Sequence, residues 1–119
     1  MAKFDSRLDL IFTALGDPTR RTLLDRLARC AASVGELAAP HDMALPSLLA
    51  HLRKLEAAGL VTSQKIGRVR TYSLSPDALS PARHWLDAQR DTWESRLDRL
   101  DEYATRLHAR KRDGPESGD

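Results

Sequence analysis

Five cationic side chains crowd one short stretch: Arg53, Lys54, Lys65, Arg68 and Arg70, with Glu56 the only acid among them. From Ala44 to Ser75 the net charge is +4. Guanidinium and ammonium groups at this density neutralise phosphates, whatever bases those phosphates carry. The flanking regions differ. Residues 1–43 hold six basic and six acidic side chains, and residues 76–119 hold eight and ten. The overall charge of +2 therefore conceals a local patch, the electrostatic footprint of a surface that meets a nucleic-acid groove.

No reactive constellation competes with this patch. The chain has no Ser/His/Asp, Cys/His or paired-carboxylate set at a plausible site and no glycine-rich phosphate loop, so neither an enzyme nor a cofactor is expected. His41-Asp42 reads as loop surface, not as a catalytic dyad. The single cysteine, Cys30, excludes an intrachain disulfide and a multi-cysteine zinc site. It reads as a small residue at a helix end, with a redox switch as the alternative. No segment has the length of a membrane span, so no membrane partner is expected. The apolar run Leu8 to Leu15 is broken by Asp9 and lacks a secretory cleavage pattern. A cytoplasmic location is the default expectation.

The cations need elements to position them. Pro46 to Ala58 carries most of a helix that starts at Leu45 and stops at Gly59. On it, Leu45, Leu48, Leu52 and Leu55 form one apolar stripe and are expected to face the core. Pro46, Leu49, Ala50 and Arg53 form the opposite face, flanked by Ser47, His51 and Lys54. Leu60 to Ser63 and Val69 to Leu74 alternate as strands do, and Gly67 suits the tight turn between them, putting Lys65 and Arg68 at the tip.

Upstream, Phe4, Leu8, Ile11, Phe12 and Leu15 share one helical face, with Gly16 expected to end the helix in a left-handed conformation. Asp17-Pro18 is a helix start, a capping side chain followed by a residue that lacks a donor where none is needed. That helix is expected to run to about Cys30 and to bury Leu23, Leu24, Leu27 and Ala28. Arg20, Arg21, Arg26 and Arg29 then fall on other faces, where Arg20 or Arg21 is either solvated or within reach of a phosphate. Ser33 and Glu36 have capping-box spacing and open a short helix closed by Pro40. A short helix, a brief link and a longer helix read as helix-turn-helix.

Downstream, Ser75-Pro76 opens a short turn and Ser80-Pro81 a long helix to about Arg110. Leu86, Trp93, Leu100 and Leu107 repeat every seven residues, and Leu97, Tyr103 and Ala104 widen the stripe. A helix of about 30 residues extends about 45 Å, more than so small a core covers. Two copies packing together is the simplest cover, so a homodimer is expected. Residues 1–110 read as one domain, and residues 111–119 as a disordered polar tail.

Taken together, the chain resembles the ArsR family of bacterial winged helix-turn-helix repressors over roughly Phe4 to Leu107. The resemblance rests on Phe12-Thr13-Ala14-Leu15-Gly16-Asp17-Pro18-Thr19-Arg20-Arg21, Val34-Gly35-Glu36-Leu37-Ala38, the run from His51 to Val61, Gly67-Arg68 and Tyr72-Ser73-Leu74. It implies a mainly α fold of five to six helices with a two-stranded hairpin wing. It also implies a dimer held by the first and last helices on a palindromic DNA operator, with Phe4, Leu8, Ile11, Leu86, Trp93, Leu97, Leu100 and Leu107 as dimerisation residues. DNA contacts are then expected from Pro46, Ser47, Leu49, Ala50, His51, Arg53 and Lys54 on the helix, and from Lys65, Arg68 and Arg70 on the wing.

Two departures from the family pattern stand out. The positions of a Cys-Val-Cys metal element hold Ser33-Val34-Gly35, and His84 and His108 are too far apart to share one site, so no metal is expected. Ala44, Leu49 and Ala50 stand where relatives carry a capping serine and two polar groove-facing side chains. Leu49 and Ala50 can meet only a thymine methyl group. That motivates an alternative, a winged-helix protein-binding module that uses an apolar Leu49/Ala50 face and has reduced DNA affinity.

Overall fold

A computed structural model describes residues 6–112. The chain divides into two units, Met1–Arg83 and His84–Asp119. The first holds helices α1 (Ser6–Leu15), α2 (Pro18–Leu27), α3 (Val34–Ala38) and α4 (Leu45–Ala57), and strands β1 (Ala32–Ser33), β2 (Val61–Ile66) and β3 (Val69–Leu74). Helix α5 (Ser80–Arg112) begins in the first unit and makes up the described part of the second.

Each start and stop has a local cause. Asp17 caps α2 by accepting from the Arg20 backbone N–H at 3.0 Å, with Pro18 in the first turn. Ser33 and Glu36 form the reciprocal box: Glu36 N–H donates to Ser33 Oγ at 3.2 Å, and Ser33 N–H donates to Glu36 Oε1 at 2.8 Å. Helix α4 ends on Gly59 at φ 76°. There Leu60 N–H reaches Leu55 O at 3.0 Å and Gly59 N–H reaches Glu56 O at 2.9 Å, both bonds of a Schellman motif. Gly67 is at φ 65° while Arg68 is not left-handed, the pattern of a type II′ turn, so Ile66 pairs directly with Val69. Gly16 differs from expectation. Its φ is not left-handed, and α1 instead gives way to the Asp17 cap, with Gly16 N–H still bonded back to Phe12 O at 3.0 Å.

The core of the first unit joins one face of α1, α2, α3 and α4 to the sheet. Ile11, Leu23, Leu37, Leu48, Leu52, Leu55 and Leu60 are fully buried, with Leu27, Val61 and Tyr72 beside them. Burial of this kind contributes about 1.5–3 kcal/mol per large apolar side chain and outweighs weak propensity in helices as short as α3. The sheet has three strands in the order β1-β3-β2, all antiparallel. Strand β1 was not expected. Ala32 pairs with Tyr72 and Ser33 with Thr71, so the residues that open the helix-turn-helix also fasten the wing's central strand.

Other expectations needed correction. Helix α2 stops at Leu27, short of Cys30, and Ala28 is exposed. Leu45 is 52% exposed because it lies in the first turn of α4, past the edge of the core. Leu49 takes a partly buried place against that core instead. Ile11, expected at a dimer surface, is wholly buried within the protomer. Helix α5 continues through Lys111 and Arg112, and the rest of the expected tail, like Phe4, lies outside the described residues. No helix among the described residues is long and apolar enough to cross a membrane.

Candidate nucleic-acid interface

With Leu48, Leu52 and Leu55 turned inward, α4 exposes Pro46, Ser47, Arg53 and Lys54, and Ala50 in part. Lys65, Arg68 and Arg70 are exposed on the wing, which also carries Ile66 and Val69 exposed at its tip. The basic stretch is thus almost wholly on the surface. The apolar Leu49/Ala50 face is not: Leu49 belongs to the rim of the core and Ala50 is half-buried.

Both flanks of α4 are tied to the scaffold by polar contacts. On one side, His51 meets α2. Arg20 is only 8% exposed, and its guanidinium spans three partners. Its Nε donates to Ala14 O at 2.9 Å, Nη2 to Thr13 O at 3.0 Å, and Nη1 lies 3.2 Å from His51 Nδ1. Arg21 Nη1 donates to Leu15 O at 2.6 Å. Two cations therefore serve the carbonyl end of α1, where the helix dipole favours positive charge. Arg20, buried on carbonyl oxygens, departs from the solvated and phosphate-bound readings, while Arg21 is exposed, as its solvated reading expected. Asp17 Oδ2 stands 3.7 Å from His51 Nδ1. The Arg20 backbone N–H holds the Asp17 carboxyl below its ordinary pKa, with smaller help from the His51 and Arg20 charges against some desolvation.

On the other flank, Glu56 meets the wing. Ser63 Oγ donates to Glu56 Oε2 at 2.8 Å and accepts from Arg70 Nη1 at 2.7 Å. Arg70 is thus an exposed cation with an anchored head. Tyr72, buried beneath, has its phenol pushed up chiefly by burial and next by the Glu56 charge.

Among the described residues, no group of three His, Cys, Asp or Glu side chains is placed to hold a metal ion. Cys30 is an exposed thiol, with Arg26 Nη1 3.0 Å from its carbonyl oxygen and 3.4 Å from its Sγ. On α5, Leu86, Trp93, Leu97, Leu100 and Leu107 are exposed, as is Tyr103, while Leu8 on α1 packs partly buried against the core.

A helix-turn-helix domain model matches residues 15–64, from the end of α1 into the wing. The chain is 39% identical over 79 residues to the HTH-type transcriptional regulator Rv2034 of Mycobacterium tuberculosis, a match covering 66% of this chain and 74% of that one. It is 32% identical over 76 residues to the transcriptional repressor SdpR of Bacillus subtilis, covering 64% of this chain and 84% of the repressor. Among solved structures, the ArsR family transcriptional regulator RHA00566 superposes with a TM-score of 0.71 at 46% identity, covering 74% of this chain and 97% of that one.

The chain belongs to the ArsR family. It is a DNA-binding transcriptional regulator, in a family of regulators and not of enzymes. In this ArsR-family regulator α3 and α4 are the helix-turn-helix, with α4 in the recognition position, and β2–β3 is the wing. Sequence reasoning missed Arg20, Ser63 and Glu56 as organisers of that surface. One signal was available: Glu56 is the sole acid in a cationic stretch, and a lone acid in such a place needs a partner.

Proposed function

We propose that this regulator is a dimeric repressor that binds a palindromic operator. Its α4 helices would enter successive major grooves, with the wings on the flanking backbone or minor groove. The observation that carries this reading is the coincidence of charge and exposure. Ala44 to Ser75, at +4 where residues 1–43 are neutral overall and residues 76–119 are net negative, exposes Arg53, Lys54, Lys65, Arg68 and Arg70 together. Ser47 and His51 add further donors on the flank of α4. Pro46, Ala50 and the exposed edge of Leu49 would give the centre of the helix an apolar contact, suited to thymine methyl groups and not to a hydrogen-bonded base edge. Base readout through the helix is thin on this account, and the wing supplies much of the affinity.

The similarity to the repressor SdpR supports repression. The exposed seven-residue stripe on α5 supports a homodimer, since Leu86, Trp93, Leu97, Leu100 and Leu107 need cover that a second copy can give. Leu8 would contribute at the margin, and Ile11 only through the core. The cytoplasm, where a bacterial chromosome lies, is the corresponding location. Sedimentation of the wild type should give a dimer, and the Leu97→Glu, Leu100→Glu variant a monomer that binds operator DNA at least tenfold more weakly. A monomeric wild type that protects an unsymmetrical footprint would refute the proposal.

A further inference from the structure

His51 lies on the edge of α4 in line with Ser47 and Lys54, four residues before it and three after. Side chains at i, i+4 and i+7 share one helical edge. Ser47 and Lys54 are exposed and the His51 side chain is 22% exposed, so this edge offers surface donors. The edges of a recognition helix run beside the sugar–phosphate walls of the groove, while its centre faces the bases.

What a histidine can offer there depends on its tautomer. Arg20 Nη1 lies 3.2 Å from His51 Nδ1. A guanidinium has only donors and stays protonated, so Nδ1 must accept and cannot carry a proton. In the neutral ring the proton is then on Nε2. The other charged group at hand does not reverse this. Asp17 Oδ2 is 3.7 Å from Nδ1, beyond a hydrogen bond, and already accepts the Arg20 backbone N–H. Arg20 cannot turn away freely either, since Nε and Nη2 also hold it to Ala14 O and Thr13 O and it is 8% exposed.

We propose that Arg20 is a positioning residue for DNA binding: it fixes His51 with Nδ1 as acceptor, so that Nε2–H is the ring's one donor and is given to an operator phosphate oxygen. This rests on the reading of α4 as the DNA-facing helix. Arg20 touches no DNA itself. The Asp17-Pro18-Thr19-Arg20 segment thereby acts on the recognition helix from a different part of the chain.

The test uses the full-length protein and a duplex that the wild type selects from a random pool. Failure to select any duplex would sink the DNA-binding account as a whole, which keeps that failure distinct from failure of this inference. Long-range proton–nitrogen correlation should put the His51 proton on Nε2 in the free wild type. His51→Asn keeps an oxygen near the Nδ1 position for Arg20 but loses the outer donor, and should bind about tenfold more weakly with unchanged thermal stability. His51→Gln extends an amide donor toward the Nε2 position and should stay within about twofold of wild type. Measured where the ring is neutral, the contact is uncharged on the protein side and the salt dependence should be the same in all three. Arg20→Lys keeps the charge but not the fork, and should give a mixture of ring tautomers with reduced affinity. If that variant does not fold, the wild-type ring assignment and the two His51 variants still decide. A proton found on Nδ1, wild-type affinity in His51→Asn, or a salt slope shallower by about one in His51→Asn would each overturn the proposal.

Discussion

The Ser63 hydroxyl donates to the Glu56 carboxylate across 2.8 Å, which fastens the first wing strand to the recognition helix. The same oxygen accepts from Arg70 at 2.7 Å, so helix, strand and a wing cation share one hydroxyl. Ser63→Ala removes both bonds without enlarging the side chain. It should lower stability by about 1 kcal/mol and operator affinity several-fold. A double-mutant cycle with Glu56→Gln, read by denaturant unfolding, should show a coupling of about 0.5–1 kcal/mol. Additive effects of the two substitutions would mean that the contact does not join the wing to the helix.

Helix α4 begins without a side-chain cap. Ala44 holds the N-cap position at φ −65° and ψ 145°, a backbone already shaped for capping, and it is exposed. Ala44→Ser should therefore add an acceptor for the first-turn amides and raise stability by about 1 kcal/mol, with no loss of DNA affinity. Chemical denaturation measures the gain, and an unchanged midpoint would show that the free amides are already well served by water.

Much of this could be read from the chain, and the limits have physical causes. Asp17-Pro18, the Ser33/Glu36 box and the Gly59 stop are local signals, and each produced the expected boundary. The apolar stripe of α4 was legible as a stripe, but its ends were not. Whether Leu45 or Leu49 is covered depends on where neighbouring elements end, and periodicity carries no such information. Strand β1 has two residues, too few for any alternation, and forms because β3 has an open edge beside it. The burial of Arg20 was invisible for a related reason. Its partners are backbone carbonyls at the end of α1 and a ring 31 residues away, and an arginine in a first helical turn ordinarily reads as surface. At the interface, the cations were legible by type, while the polar ties that hold them depend on tertiary register.

Two carboxylates make folding sensitive to acid. Backbone N–H donors, Arg20 for Asp17 and Ser33 for Glu36, hold both below their ordinary values. In the unfolded chain these groups take up protons at a higher pH than in the native state. Their contribution is therefore complete above the ordinary carboxylate range and is lost as pH falls through the depressed native values, below about pH 4. Stability measured against pH should drop on that acid limb. Asp17→Asn, which still caps, should make the drop shallower while changing little at neutral pH. An acid limb as steep as that of the wild type would show that Asp17 contributes nothing to it.

The central claim is that the exposed cations of α4 and the wing meet operator phosphates. Titrating a selected operator duplex at a series of salt concentrations tests it most directly. If about six phosphates are neutralised per dimer, the log–log slope of affinity against salt should be about −5 for the wild type. The Lys65→Ala, Arg68→Ala variant, which removes four of those contacts from the dimer, should bring it to about −2. A flat response in the wild type, or an undiminished slope in the variant, would contradict the account.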